Sequence, residues 1–328
     1  MKPLSEVSSD RVLPGVPWIE SPFFREELET AGLAPELEAV ASQLHSEGYV
    51  IFDFDDPDFD AVAQRIVRDL DGKHTGAHSK VLDAWRANED VRRLAANESV
   101  LKLVSTLYGR RAIPFQTLNF CRGTEQHIHS DAVHFSSVPE RFMCGVWVAF
   151  EDIGPDNGPL VYYPGSHRLP IYDYLQLGLT GSDQEVAYDF YRAYERLFRE
   201  LVKAHGLKEQ VLCIPRGKAL IWAANLIHGG APQRDRSLTR HSQVTHYYFE
   251  NCAYYAPSVS DPFLGRVRFR PIVDISTGKA VPHQYNGQLL APWSLPEDPA
   301  AARSPQRSRG GRVLDGLRSV ASLVRGGD

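Results

Sequence analysis

Between residues 111 and 255 the chain divides into short runs rich in β-branched and aromatic residues, bounded by Gly, Pro, Asn or Asp. Such runs are typical of β-strands joined by turns. They span residues 111–120, 126–134, 144–151, 160–163, 211–214, 218–224 and 240–250. A succession of many short strands packs as a sandwich, a jelly roll or a barrel. We therefore predict a mainly β core over residues 111–255.

Helical patterns flank and interrupt this core. Apolar residues recur at helical spacing over 35–48, 58–70, 91–95 and 98–109, and Val50–Phe52 predicts a strand after the first helix. Ser182 and Glu185 form a capping box that begins one further helix, which Gly206 ends. We predict three parts: an N-terminal extension with a helix (1–44), a single domain (45–295, helical over 58–110), and a basic, flexible tail rich in Pro, Gly, Ser and Arg (296–328).

Composition excludes several classes of protein. The formal net charge of −5 gives no electrostatic reason to bind nucleic acid. The longest apolar run, Ala219–Ala224, is far shorter than the roughly 20 residues that span a bilayer. Residues 1–10 lack the apolar segment of a signal peptide, and the 4 scattered cysteines are typical of reduced thiols. We expect a cytoplasmic protein without a membrane span.

Two histidines and an aspartate carry the clearest chemical signal. If 126–134 is a strand, His129 and Asp131 point to the same face, because residues i and i+2 of a strand do so. His228 follows the apolar run 218–224. Two imidazoles and one carboxylate form a ligand set that Fe(II) accepts, with coordination positions left open on one side.

Spacing alone leaves alternatives open. His127 lies on the same predicted face as His129, so a site of three histidines (His127, His129 and His228) fits the pattern as well. A lone His-x-Asp is also common where the imidazole only hydrogen-bonds the carboxylate. A structural role is likewise the expectation for each of the other candidates His74, His78, His134 and His246.

Longer stretches of the sequence narrow this choice. The segments HIHSDAVHF and GVWVAFEDIGPDNGPLVYYPGSHRLP, followed by GKALIWAANLIHGGAP and TRHSQVTHYYF, resemble the phytanoyl-CoA dioxygenase family over roughly residues 45–255. The resemblance implies a double-stranded β-helix, the jelly-roll, cupin-like fold. It also implies an Fe(II)/2-oxoglutarate-dependent dioxygenase that hydroxylates a small-molecule metabolite with release of succinate and CO2.

The resemblance assigns roles to individual residues. It implies that His129, Asp131 and His228 bind Fe(II), and that 2-oxoglutarate and O2 complete the reaction. It implies that Arg240 pairs with the distal carboxylate of 2-oxoglutarate, for which the guanidinium offers a planar fork. The further cosubstrate contacts that it implies are Lys80, Trp147, Gln116 and Leu118.

A different class of function is a non-catalytic jelly-roll protein that binds a small molecule. An intact His/Asp/His set with Arg240 argues against it, because a binding protein has no need of open metal positions. We expect a small and polar substrate, because the candidate pocket residues are polar: Gln116, Asn119, Arg141, Tyr162 and Asn225. We expect a monomer or a homodimer.

Overall fold

The computed structural model describes residues 11–74, 80–173, 175–179 and 184–290, and for 184–190 it describes the backbone alone. The predicted tail (296–328), Ser182 and His78 lie outside the described residues. The helices are α1 (Phe24–Ala31), α2 (Pro35–Glu47), α3 (Phe59–Leu70), α4 (Glu89–Ala95), α5 (Glu98–Tyr108) and α6 (Gln184–Ala204). Of these helices, none combines the length and the apolar character that crossing a bilayer requires.

Short strands dominate the rest of the described chain. They are β1 (Tyr49–Asp53), β2 (Lys80–Leu82), β3 (Ala112–Phe120), β4 (Ser136–Val138), β5 (Met143–Ala149), β6 (Leu160–Tyr162), β7 (Gln210–Val211), β8 (Lys218–Ala223), β9 (His228–Gly230), β10 (Ser242–Phe249), β11 (Ala253–Tyr255), β12 (Ile272–Val273), β13 (Ala280–Val281), β14 (Gln284–Tyr285) and β15 (Gln288–Leu289). The prediction of a mainly β core is therefore confirmed.

Helices α4 and α5 show how local sequence sets the element boundaries. The side chains of Asn88 and Asn97 accept hydrogen bonds from the backbone N–H groups of Val91 and Val100, each at 2.9 Å. These bonds satisfy N–H groups that a helix otherwise leaves without a partner at its start. Gly109 ends α5 in the left-handed conformation (φ 70°), which glycine adopts without steric cost.

The main sheet has six antiparallel strands in the order β1-β8-β5-β10-β3-β2. A smaller sheet has the order β7-β6-β9. Tyr162 of the smaller sheet packs in one apolar cluster with Trp147 and Leu220 of the main sheet. The smaller sheet therefore covers one face of the main sheet, and this apolar cluster lies between the two sheets.

The two faces of the main sheet differ in their neighbours. Alternate residues of β10 reach the helices: Gln243 donates to the carbonyl of Val91 (3.1 Å), and the Tyr247 hydroxyl donates to that of Ala95 (2.9 Å). The residues between them point the other way, because side chains alternate along a strand. We call this second side the inner face; the register places on it Gln116, Leu118, Phe120, Gly145, Trp147, Leu220, Trp222, Ser242, Val244 and His246.

The segment 126–134 differs from its prediction as a strand. Only His129 makes a β-bridge, with His228, and Asp131–Val133 form a turn of 3-10 helix. The Ser130 side chain caps this turn by accepting a hydrogen bond from the N–H of Ala132. Short polar residues such as serine favour turns over strands. The expected strand alternation between His129 and Asp131 is therefore wrong, and their side chains meet by another route.

Candidate active site

A pair of backbone hydrogen bonds joins His129 to His228. The N–H of His129 donates to the carbonyl of His228 at 2.8 Å, and the N–H of His228 donates to that of His129 at 2.9 Å. Gly229 permits this approach, because a Cβ there would lie 2.8 Å from the carbonyl oxygen of Gln126. The two imidazole rings lie side by side, with their centroids 4.5 Å apart.

In each of the two imidazoles Nδ1 is engaged by a backbone carbonyl, and Nε2 lies on the side of the Asp131 carboxylate. Nδ1 of His129 lies 2.9 Å from the carbonyl oxygen of His127, and Nδ1 of His228 lies 2.9 Å from that of Leu226. A carbonyl oxygen only accepts, so each Nδ1 carries the proton and donates it. Each Nε2 is left with a lone pair, which is the arrangement of a metal-binding histidine.

The carboxylate of Asp131 completes a three-residue group. Its oxygens lie 3.8 Å from Nε2 of His129 and 3.9 Å from Nε2 of His228. Taking one possible ligand atom from each of the three residues, all three atoms lie within 4.8 Å of one another. These separations are too long for hydrogen bonds, so the three groups converge without satisfying one another. Trp222 Nε1 donates to Oδ2 of Asp131 at 2.9 Å and orients the carboxylate. Two imidazoles and one carboxylate fit a divalent cation such as Fe(II).

The electrostatics of the group also suit a cation. Burial raises the pKa of Asp131, but the imidazoles of His228, His246 and His129 and the indole N–H outweigh it and hold the pKa below its usual value. Burial, and then the neighbouring His228, lower the pKa of His129. At neutral pH the carboxylate is ionised and His129 is neutral, which are the forms that bind metal.

His127, the alternative ligand, does not join this group. Its side chain is exposed, and its part in the site is the backbone carbonyl that accepts from His129. The geometry therefore favours Asp131 over His127 as the third ligand.

Arg240 lies on the inner face, just before β10. Its side chain is buried (1 % exposed), and Nη1 donates to the carbonyl of Gly158 at 3.0 Å. Its Nε is buried without a partner, and no carboxylate of the described residues lies within ion-pair distance of the guanidinium. Burial lowers the pKa of Arg240 to about 10, so the group stays cationic at neutral pH. A buried, unpaired cation is costly unless an anion joins it.

The other predicted cosubstrate contacts line the same face. Trp147 and Leu118 both pair with Val244, one from each side, and the indole Nε1 of Trp147 is buried without a partner. Lys80 pairs with Phe120; burial lowers the pKa of its ammonium and the charge of Asp131 raises it. Gln116 lies at the metal end, where its Oε1 is 3.0 Å from Nδ1 of His246.

Comparison with known proteins gives the family of the chain. A family model described as Phytanoyl-CoA dioxygenase (PhyH) matches residues 21–242. The chain belongs to the phytanoyl-CoA dioxygenase family. The peroxisomal phytanoyl-CoA dioxygenases of Rattus norvegicus and Bos taurus are each 24 % identical to it, over 183 and 185 residues respectively. Each alignment covers 54 % of this chain and 51 % of the relative, so the chain spans about half the length of these curated relatives.

Solved structures share the fold of this family member. The epimerase SnoN from nogalamycin biosynthesis, in complex with Fe3+, alpha ketoglutarate and nogalamycin RO, matches with a TM-score of 0.53 at 22 % identity, over 68 % of this chain and 87 % of SnoN. EctD from S. alaskensis, with 2-oxoglutarate and 5-hydroxyectoine, matches with a TM-score of 0.53 at 18 % identity, over 78 % and 89 % of the two chains. The predicted jelly-roll, cupin-like double-stranded β-helix is confirmed.

In this phytanoyl-CoA dioxygenase family member, an additional group of aromatic and polar side chains borders the metal ligands. His246 Nε2 lies 3.7 Å from Oδ2 of Asp131, and the Phe135 ring lies 4.9 Å from the His246 ring. On the other side, Gln126 Nε2 lies 3.4 Å from Nε2 of His129 and donates to the Tyr191 hydroxyl at 3.3 Å. His134 stacks on Tyr191, with the ring centroids 5.4 Å apart. We call Gln126, Tyr191, His134, Phe135 and His246 the aromatic rim.

Two members of the rim, His134 and His246, lie beside the metal ligands, although a structural role was the expectation for each. His246 is buried and His134 is half-buried; burial lowers the pKa of each to about 4, so both are neutral at neutral pH. A signal for His246 was present in the sequence. His246 lies six residues after Arg240, and residues an even number apart along an extended segment share a face.

Several predicted pocket residues hold the fold together instead. Asn119 donates to Gln243 (3.1 Å), which faces the helices, and Arg141 forms an ion pair with Glu20 at 2.6 Å. Asn225 donates to the carbonyl of Leu169 at 2.7 Å. Of the five polar residues proposed for the pocket, Gln116 contacts His246, which borders the metal ligands, and Tyr162 pairs with His228 across β6 and β9.

Proposed function

We propose that this protein is an Fe(II)/2-oxoglutarate-dependent dioxygenase that hydroxylates a small-molecule metabolite, with release of succinate and CO2. His129, Asp131 and His228 would hold the iron. When bound, iron and 2-oxoglutarate activate O2 for oxidation of a substrate C–H bond. The two mammalian relatives are named dioxygenases, and the SnoN and EctD structures contain 2-oxoglutarate (alpha ketoglutarate), which supports the same cosubstrate.

The observation that carries this proposal is the buried guanidinium of Arg240. It lies on the inner face that also presents His246 and Trp222 to the metal ligands, and it lacks an anionic partner among the described residues. A dicarboxylate that binds a metal at one end leaves its second carboxylate for such a cation. A guanidinium fork binds a carboxylate through two parallel hydrogen bonds.

The residues between Arg240 and the metal ligands suit such a ligand. Leu118, Trp147 and Val244 supply an apolar wall, which excludes water and strengthens the ion pair. The unpartnered indole N–H of Trp147 is a spare donor on this wall. The chain thus orients the cosubstrate at both ends, while the backbone carbonyls of His127 and Leu226 hold the two imidazoles in the metal-binding tautomer.

The rim supports a small, polar substrate. Gln126, Tyr191, His134 and His246 place amide, hydroxyl and imidazole groups beside the ligands, and Phe135 adds an apolar surface. A small set of placed polar groups is typical of sites that orient one metabolite.

The test compares Arg240→Ala with Arg234→Gln, whose side chain is 73 % exposed. We expect wild type to bind 2-oxoglutarate in the presence of Fe(II) without O2, and to release succinate when O2 is admitted. Arg240→Ala should weaken 2-oxoglutarate binding by about a hundredfold or more, since an unmatched buried charge costs roughly 3–5 kcal/mol. Arg234→Gln should match wild type.

Two results would contradict the proposal. Equal 2-oxoglutarate affinity in wild type and Arg240→Ala would remove the assigned anchor. Tight binding of Fe(II) and 2-oxoglutarate without any O2-dependent succinate would favour the non-catalytic binding protein.

A further inference from the structure

Arg270 is a second cation near the metal ligands; its side chain is half-buried and its Nε atom is inaccessible to solvent. Its backbone is fixed, because its N–H donates to the carbonyl of Tyr254 (2.9 Å) and its carbonyl accepts from Nε2 of His283 (3.0 Å). Its side chain makes no hydrogen bond or ion pair with any described residue, and its Nε is buried without a partner. The backbone is fixed, while a buried Nε of the guanidinium has no hydrogen-bond partner among the described residues, and a ligand would satisfy it.

Contacts connect this guanidinium to the metal ligands through the aromatic rim. Its Cζ lies 4.7 Å from the centroid of the Phe135 ring, which lies 4.9 Å from the His246 ring. His246 in turn lies 3.7 Å from Asp131. The charge of Arg270 also lowers the pKa of both His134 and His246, which agrees with a position on the same side of the site.

The charged groups of the described residues leave Arg270 without an anionic partner even when the proposed ligands are bound. Asp131 is directed to the metal ligand group and to Trp222. The two carboxylates of 2-oxoglutarate are assigned to the metal and to Arg240, and Lys80 is a second cation for the cosubstrate. Among the described residues, no side chain supplies the anion that would pair with Arg270, which favours a bound molecule as its source.

We infer that Arg270 binds a carboxylate of the prime substrate, so that the enzyme oxidises a small carboxylic acid held against the Phe135 side of the rim. This inference rests on the proposed function and specifies its substrate class. Arg270 lies outside residues 21–242, the part of the chain that the family model matches. It therefore determines specificity in this chain rather than supporting the chemistry shared by the family.

The test uses matched pairs of a small carboxylic acid and its primary amide: phenylacetate with phenylacetamide, hexanoate with hexanamide, and N-acetylalanine with its amide. Binding to the full chain loaded with Fe(II) and 2-oxoglutarate is measured by calorimetry without O2. We expect at least one acid to bind about tenfold or more tightly than its amide, because charge-assisted bonds to a guanidinium are the strong ones. That preference should disappear in Arg270→Gln. It should persist in Arg268→Gln, which removes an exposed arginine two residues away.

The outcomes separate this inference from the proposed function. If no acid binds more tightly than its amide, or if Arg270→Gln keeps the preference, the inference is overturned. If Arg270→Gln loses 2-oxoglutarate affinity by the same factor as acid affinity, Arg270 belongs to the cosubstrate and the inference is again overturned. Failure of wild type to bind 2-oxoglutarate would instead contradict the proposed function, and is measured in a separate titration without the acids.

Discussion

The indole of Trp222 lies directly against the backbone of Gly145: a Cβ built on Gly145 would lie 2.1 Å from the Cζ2 atom of that ring. The two residues pair across β5 and β8. Because Gly145 has no side chain, the indole occupies that space, and its Nε1 reaches Oδ2 of Asp131 at 2.9 Å. A glycine in one strand thereby fixes a carboxylate that belongs to a distant loop.

Gly145→Ala is expected to disturb the metal group without unfolding the protein. The added methyl must displace the indole, and overpacking of this kind costs roughly 1–3 kcal/mol of stability. We predict that Fe(II) affinity, titrated without O2, falls by about tenfold or more as Asp131 loses its hydrogen bond. Gly154→Ala is the control, since a Cβ there meets its nearest neighbour at 3.4 Å. A folded Gly145→Ala protein with wild-type Fe(II) affinity would contradict this account.

Trp222→Phe tests the hydrogen bond to Asp131 more directly. Phenylalanine keeps most of the apolar ring but has no N–H, so the carboxylate is free to rotate away from the ligand position. We predict a loss of about 10–100-fold in Fe(II) affinity, as is usual when a partner of a metal ligand is removed. Trp18→Phe is the matched control, because it removes an indole hydrogen bond of 2.7 Å to the carbonyl of Thr106. If the two variants bind Fe(II) equally well, Trp222 has no part in positioning the ligand.

Asp131→Ala and His127→Ala together test which residue completes the metal group. Among the described residues, Asp131 supplies the one carboxylate that converges on Nε2 of His129 and His228, and its loss leaves two imidazoles. We predict that Asp131→Ala binds Fe(II) at least about a hundredfold more weakly. His127→Ala should bind it as wild type does, because the exposed imidazole is not part of the group and alanine retains the backbone carbonyl. The opposite result would support the three-histidine site.

The sequence predicted the pairing of His129 with Asp131 from strand alternation, and the structure brings the two together for a different reason. The bridge to His228 fixes His129, and the turn that Ser130 caps brings the carboxylate back beside it. Local spacing shows that two such groups are near each other in the chain. It does not show the long-range hydrogen bonds that decide how they point.

Other features of the site could not be found from local patterns at all. In the sequence Trp222 is part of an apolar run. Its indole N–H reaches Asp131 because the ring lies over Gly145. Arg270 lies in a segment beyond the predicted strands, and it approaches the rim because β11 holds that segment through Tyr254. Contacts between residues this far apart in sequence depend on the register of the whole fold.

Protonation of buried histidines should make stability depend on pH, and His167 offers a test away from the metal ligands. Its Nε2 donates to the carbonyl of His45 at 3.0 Å, and its Nδ1 is buried without a partner. Burial lowers its pKa to about 4, from 6.5 in the unfolded chain. Between these values the unfolded state binds a proton that the folded state does not. The free energy of unfolding is therefore highest above pH 6.5 and falls as the pH drops towards 4, by up to about 1.4 kcal/mol per pH unit for each such histidine.

We predict that the free energy of unfolding depends less on pH in His167→Gln, because the variant takes up about one proton fewer when it unfolds. The variant loses some stability at pH 7 but less on acidification, because glutamine does not titrate. The measurement is urea denaturation from pH 7 to pH 4.5 in the presence of a chelator, so that metal binding to the other histidines does not contribute. His205→Gln, at an exposed position, is the control for loss of an imidazole as such. An acid dependence in His167→Gln as steep as in wild type would mean that His167 takes up its proton without unfolding, against the depressed pKa that its burial implies.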